Sequence, residues 1–276
     1  MKFDNIIIVT DLDGTFLDEH EGLVERNLRA IEYFKQNGGR FTIATGRAAE
    51  HALGAVPCAP WLVNLPAVTC NGACLYDFRT GESPVLHTIS FDEVKEIVAF
   101  VRSEFSSVGV RASSPEYCFV STPEDMENSF LKSDLSHYAD TKNLIAPMEK
   151  WKDTPIFKVV LRVDSELLPK LMSALRDRFG DRFSFTQSWA TIIDIQPSGV
   201  NKGVTLEKYV RETLGEEVKI YACGDYVNDL EMLECADVAV CPSNAHEQVK
   251  AVCDLCLGTN SDGLIADLVE YLDKRQ

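Results

Sequence analysis

Apolar positions in this chain fall into short β-branched runs and helical stripes that take turns along both of its ends. Asn5 to Thr10 carries the run Ile6-Ile7-Ile8-Val9 and predicts a buried strand. A loop follows from Asp11 to about His20. Leu28, Ile31 and Phe34 then share one stripe of a helix from Leu23 to Gln36, which Asn37-Gly38-Gly39 stops. Arg40 to Ala44 reads as the next strand. It ends at Thr45-Gly46-Arg47, where another helix is expected to begin. The far end keeps this rhythm. Lys202 to Leu214 is a helix with Leu206, Val210 and Leu214 in register, and Val218 to Cys223 is a strand. The loop from Gly224 to Asn228 leads into a helix through Met232 and Leu233, then a strand from Asp237 to Val240 and a helix from Ala245 to Val252. Such alternation predicts a parallel sheet joined by right-handed crossovers.

The middle of the chain has another pattern. Val85 to Ser90 reads as a strand, and Asp92 to Glu104 as a helix with Val94, Ile97, Val98 and Val101 inward. Val108–Ser113 and Tyr117–Thr122 are strand-like, and Asp125 to Tyr138 is polar with helical character. The order then repeats. Phe157–Val163 is a strand, Glu166–Phe179 a helix with Leu167, Leu171 and Leu175 aligned, and Phe183–Trp189 pairs with Thr191–Ile195 as a hairpin. Two strand–helix–strand–strand units predict an α/β module on a largely antiparallel sheet. The expected fold is therefore α/β, with a Rossmann-like parallel-sheet core from residues 1–83 and 197–276. Residues 84–196 form an inserted α/β cap.

Charge narrows the partners. The formal net charge of −16 repels nucleic acid phosphates and anionic lipids, so neither nucleic acid nor a membrane surface is an expected partner. A site for a phosphorylated small molecule must then be built from local cations or a metal. The nine cysteines are odd in number and scattered, which is not a disulfide framework. The apolar run at Ile6–Val9 is too short for a secretory leader, and the uncharged stretch from Leu53 to Tyr76 is broken by Gly54, Pro57, Pro60 and Pro66. A reduced, cytoplasmic enzyme is expected. Oligomeric state is not legible here.

Four places carry chemistry. Asp11-Leu12-Asp13-Gly14-Thr15 directly follows the first strand, where open α/β sheets bind ligands. Residues two apart on an extended segment point the same way, so Asp11 and Asp13 face one small volume. There they either share a proton or bind a cation. Gly14 stands fourth from Asp11 and Gly22 twelfth, unlike a calcium loop with its sixth-position Gly and twelfth-position Glu. Gly224-Asp225-Tyr226-Val227-Asn228-Asp229 follows another predicted strand, and Asp225 or Asp229 supplies the further carboxylate that Mg²⁺ favours. The same residues also suit a helix N-cap. Thr45-Gly46-Arg47 sets free N–H groups and a hydroxyl where an anion would sit. Lys202 lies at the positive end of a helix, an unfavourable place unless its ammonium is wanted beside carboxylates or phosphate.

In order and setting, these motifs resemble the haloacid dehalogenase superfamily, and within it the Cof-like phosphatases with a large type IIB α/β cap. Asn71-Gly72-Ala73 and Ser243-Asn244-Ala245 are similar to that branch as well. The resemblance implies a Mg²⁺-dependent phosphatase acting on a small phosphorylated metabolite, first of all a sugar phosphate. It makes Asp11 the nucleophile and Asp13 the acid and base. It puts Mg²⁺ on Asp11, Asp225 and the Asp13 carbonyl, with Asp229 in support. Thr45, Gly46 and Lys202 become the phosphate cradle, Arg47 a substrate contact or loop brace, and Asn228 a supporting residue. A phosphohexomutase-like phosphotransferase using the same Asp11 is the nearest alternative, and a non-catalytic phosphometabolite-binding regulator is another.

Other features stay structural. Cys253-Asp254-Leu255-Cys256 and the pair Cys70 and Cys74 have thiol spacing, but Cys256 falls in an apparently buried strand and small buried cysteines are expected rather than zinc. The five histidines lack metal-site spacing, and no Walker loop or dinucleotide fingerprint is present.

Overall fold

Ile6–Thr10 becomes the fourth of five parallel strands, hydrogen-bonded to Lys219–Cys223 on one side and Arg40–Ile43 on the other. Val238–Pro242 and Leu255–Leu257 complete the sheet beyond Lys219–Cys223. These relations come from a computed structural model that describes residues 1–83, 87–114, 117, 119–132 and 143–275. The chain forms two compact units, Met1–Pro84 with Asn201–Gln276, and Val85–Val200.

In the first unit the β-branched run feeds two faces of the sheet. Ile6 and Ile8 pack with Phe41, Ile43, Ile31, Phe34, Leu268 and Leu272, drawn partly from helices Glu25–Gln36 and Leu264–Asp273. Ile7 and Val9 pack the other way, with Leu206 and Val210 of helix Lys202–Leu214 and Met232 of helix Leu230–Glu234. Period-two alternation thus makes a three-layer core. Each fully buried Ile contributes roughly 2 kcal/mol. Every carboxyl end of these parallel strands lies at one edge of the sheet, which is where Asp11 and Asp225 follow their strands.

The second unit is a six-stranded sheet in the order Asn143–Ile145, Phe119–Ser121, Gly109–Ser113, Lys158–Arg162, Ile192–Pro197, Phe183–Trp189. Only the first pair is parallel. Val110, Ala112, Val159, Leu161, Ile193 and Ile195 cover helices Phe91–Glu104 and Leu168–Phe179. Arg111, Lys158, Asp194 and Gln196 fall at the intervening positions and are buried as well.

Several local expectations change. Of the strand expected at Val85–Ser90, residues 85 and 86 lie outside the described residues. Ile89 makes a single bridge to Ile156, because Ser90 already caps the next helix in a capping box with Glu93. Of the helical stretch expected at Asp125–Tyr138, the described part is a single turn at Asp125–Glu127 and helical residues 129–132. Residues 133–142 lie outside the described residues, as do residues 115 and 116 and residue 118 of the strand expected at Tyr117–Thr122. No described helix is long and apolar enough to cross a membrane.

Candidate active site

Asp11 and Asp225 stand one and two residues beyond neighbouring strands, and the Asp11 N–H donates to the Cys223 carbonyl at 2.9 Å. The turn after Asp11 makes the approach close. Gly14 has φ +78, and a Cβ there would collide with the Asp225 carboxylate, so glycine is needed on both grounds. Thr15 Oγ1 donates to Asp225 Oδ1 at 2.6 Å. Asp229 folds back within its own turn, where its Oδ2 accepts the N–H groups of Asp225 at 3.1 Å and Tyr226 at 3.3 Å.

Lys202 reaches this group from the start of its helix, where Asn201 is the N-cap and accepts the Val204 N–H at 2.8 Å. The ammonium is 1% exposed and donates to Asp11 Oδ1 at 2.6 Å and Asp229 Oδ1 at 2.7 Å. Asp11, Asp225 and Asp229 each offer an oxygen within 4.8 Å of the others. No other set of three metal-ligating side chains is so gathered among the described residues, and no cysteine belongs to this one. Cys256, expected in a buried strand, is exposed because its strand is the sheet edge.

The electrostatics follow from three carboxylates and one ammonium in a dry place. Burial pushes the Asp11 carboxyl well above its usual range. Lys202 pulls it back, while Asp229, Asp13 and Asp225 push it further. Burial and then Asp229 raise Asp225 to about 7. Burial works against the Lys202 charge, but Asp11 and Asp229 outweigh it and hold the ammonium above the ordinary lysine value. The cluster thus carries more negative charge than it comfortably holds, on hard oxygen donors. That donor set fits Mg²⁺ and does not fit a soft, thiolate-seeking metal.

The other sequence candidates divide. Asp13 does not enter the buried cluster with its carboxylate, which is 45% exposed and gripped by Arg47 through Nε at 2.9 Å and through Nη2. Arg47 Nη2 also donates to Glu21 Oε2 at 3.0 Å, so in this structure Arg47 braces loops. Thr45 is buried, and its Oγ1 accepts the Arg47 N–H at 3.1 Å. The helix expected to start at Thr45-Gly46-Arg47 begins at Ala49 instead, because that hydroxyl turns the chain first. Gly46 is half-buried against Asn71, and Asn228 is half-buried on the turn Val227–Asp229.

One element has a role that sequence did not reveal. Cys70 and Asn71 take the left-handed conformation, at φ 51 and 53. Their N–H groups donate to Arg47 O at 2.9 Å and Thr45 O at 3.0 Å, and Gly72 O accepts from Thr205 Oγ1 at 2.8 Å. Gly72 (φ +101) lies so near the Asn201 carbonyl that a Cβ would collide with it. The turn therefore ties the Thr45 loop to the Lys202 helix. The Asn-Gly pair was the available signal for a turn.

Comparisons with known proteins give the family and the fold. A family model described as haloacid dehalogenase-like hydrolase matches residues 8–269. The 5-amino-6-(5-phospho-D-ribitylamino)uracil phosphatase YitU of Bacillus subtilis is 27% identical over 282 residues, covering 98% of this chain and 99% of that one. The pyridoxal phosphate phosphatase YbhA of Escherichia coli is 26% identical over 286 residues, covering 95% and 97%. A HAD/COF-like hydrolase of Plasmodium vivax has a TM-score of 0.84 at 19% identity, covering 99% and 97%, which is a likeness of fold.

Proposed function

The chain belongs to the haloacid dehalogenase-like hydrolases, and from that membership we propose that it is a Mg²⁺-dependent phosphatase of a small phosphorylated metabolite, a sugar phosphate or similar phosphorylated polyol. The observation that carries the proposal is the Lys202 ammonium, 2.6 Å from Asp11 and 2.7 Å from Asp229, both buried, in a cluster completed by the half-buried Asp225. Phosphoryl transfer needs positioning and charge neutralisation, and this arrangement is suited to both.

Asp11 attacks phosphorus, the phosphorus–oxygen bond to the alcohol breaks, and an aspartyl-phosphate forms. Asp13 gives its proton to the departing alkoxide. It then takes one from the water that attacks the aspartyl-phosphate, releasing inorganic phosphate and restoring Asp11. Lys202, Thr45 and the Gly46 amide hold the phosphoryl oxygens. Asp11, Asp225 and Asp229 would hold Mg²⁺, with the Asp13 carbonyl as a further oxygen donor. When bound, the ion neutralises charge on the nucleophile and on the transferring group. Residues of the inserted unit choose among alcohols. The phosphorylated ribityl chain named for the Bacillus relative supports a polyol substrate.

The test is phosphate release from a panel of phosphosugars, phosphorylated cofactors and nucleotides, with and without Mg²⁺. Mg²⁺-dependent release that Asp11→Asn lowers by at least about 10³-fold is expected. Full activity in the substituted protein refutes the nucleophile. An isomeric phosphosugar in place of free phosphate makes the enzyme a phosphotransferase.

A further inference from the structure

We infer that Cys241 and Cys256 form a redox modification site, a dithiol that a low-molecular-weight disulfide such as glutathione disulfide closes into a cross-link bearing on the Asp225 turn. The effect on that turn rests on Asp225 holding Mg²⁺, as proposed above. Cys241 lies in strand Val238–Pro242 and Cys256 in the edge strand Leu255–Leu257, and the two are direct partners in the parallel pairing. Neighbouring strands run about 4.8 Å apart, inside the roughly 4.4–6.8 Å between Cα atoms that a disulfide spans. Period-two alternation sets both thiols on one face. Val240, Leu255 and Leu257 belong to the cluster of Ile8 and Phe41, so Cys241 and Cys256 turn the other way. There Cys241 shares a cluster with Val249, and Cys253 packs against it.

The Cys241 thiol is pushed above its ordinary value by its contact with Cys253, then by burial, while its contact with Cys256 works in the opposite sense. Its side chain thus meets both. Yet the three sulfurs do not close on one another as metal ligands do, since Asp11, Asp225 and Asp229 are the set so gathered among the described residues. Two-thiol chemistry suits this arrangement. Cys241 is buried and Cys256 exposed, so a reagent in solution reaches Cys256 first. The Cys256 sulfur attacks one sulfur of the reagent, whose S–S bond breaks, and a mixed disulfide forms as one thiol leaves. Cys241 then gives its proton to water and its sulfur attacks that of Cys256, releasing the second thiol. The protein loses two electrons and two protons, and the reagent gains them.

The cross-link would lie in the segment that carries the Asp225 turn. The Val240 carbonyl accepts the Gly224 N–H at 3.1 Å, and the His246 N–H donates to the Asp225 carbonyl at 2.9 Å. Just beyond the two cysteines, the Ser243 N–H donates to Gly258 O at 3.2 Å. A bond that draws Cys256 onto Cys241 pulls on this frame from both strands.

The experiment incubates the reduced full chain with glutathione disulfide, maps its disulfides by alkylation and mass spectrometry, and measures the Mg²⁺ Kd by calorimetry. A Cys241–Cys256 bond that dithiothreitol reverses is expected in the wild type and in Cys253→Ser, and none in Cys256→Ser. Oxidation should raise the Mg²⁺ Kd of the wild type at least about fivefold, the lower end of coupling between linked sites, and leave that of Cys256→Ser unchanged. Another cysteine pair, a mixed disulfide that never closes, or a closed bond with an unchanged Kd overturns the inference and leaves the proposed phosphatase standing. No Mg²⁺ binding by the reduced protein refutes the metal site, and the coupling with it.

Discussion

Lys202 in the first unit and Lys158 in the second are both buried, yet their surroundings differ in charge. Among the described residues Lys158 meets one carboxylate, Asp194 at 2.9 Å, and Ser188 donates to the same oxygen at 2.6 Å. Lys202 stands beside Asp11 and Asp229 with Asp225 close by. Arg111 is a further buried cation at the intervening positions of that sheet, so the described residues there hold no excess of negative charge. Fully ionised, three carboxylates around one ammonium carry an excess of two negative charges, which a divalent ion would balance and which protons balance in part without it. Burial of charge alone does not mark a catalytic centre, and the imbalance separates the two places.

The largest expected effect breaks that comparison by removing each lysine in turn. Lys202→Met and Lys158→Met should each lose about 3–5 kcal/mol of stability, because each leaves buried carboxylate without its cation. Mg²⁺ should restore part of the loss in Lys202→Met, by binding the folded state, and none in Lys158→Met. Urea unfolding with Mg²⁺ and with chelator reads this directly, and equal behaviour of the two variants would erase the distinction.

A second, somewhat smaller effect is carried by pH. Asp225 is raised to about 7 in the fold from an ordinary 3.8. Between these values the metal-free folded protein binds a proton that the unfolded chain lacks. Stability should therefore fall as pH rises from about 4 to about 7, by at most about 4 kcal/mol, and level off above. Mg²⁺ should flatten the slope. A melting temperature that climbs over this range in chelator would contradict the charge excess. The smallest effect belongs to the second unit alone. Ser90→Ala removes the capping box at Phe91–Glu104 and should cost about 1 kcal/mol, equally with and without Mg²⁺ and with activity retained, as melting curves and phosphate release would show.

What was legible in the sequence follows from how local each signal is. Strand–helix alternation at the two ends gave the parallel sheet because each buried strand is a short apolar run beside a helix stripe. Lys202 could be singled out because a lysine at a helix start is misplaced locally, and the structure brings it to Asp11 and Asp229. The Glu21–Arg47 contact has no local signature, since it joins two loops through side chains alone. The hairpin Ala67–Thr69 with Cys74–Tyr76 lay hidden in an uncharged stretch, where no alternation sets a period. Helix Leu264–Asp273 also went unread, its stripe widened by Leu264, Ile265, Ala266, Leu268, Val269 and Leu272, all buried. In the second unit the same locality misled. Ile89 has strand chemistry, but the cap at Ser90 commits the next residues to helix.

The position of Ile6–Thr10 in its sheet has a consequence for biosynthesis. This strand leaves the ribosome before either of its neighbours, and Arg40–Ile43 can pair with it soon afterwards. Its other neighbour, Lys219–Cys223, emerges only after the whole of Val85–Val200, a wait on the order of ten seconds or more at ordinary translation rates. Until then an apolar strand keeps one edge open. The nascent protein is thus most vulnerable to misassociation, and most in need of chaperones, during the interval in which its inserted segment is being made.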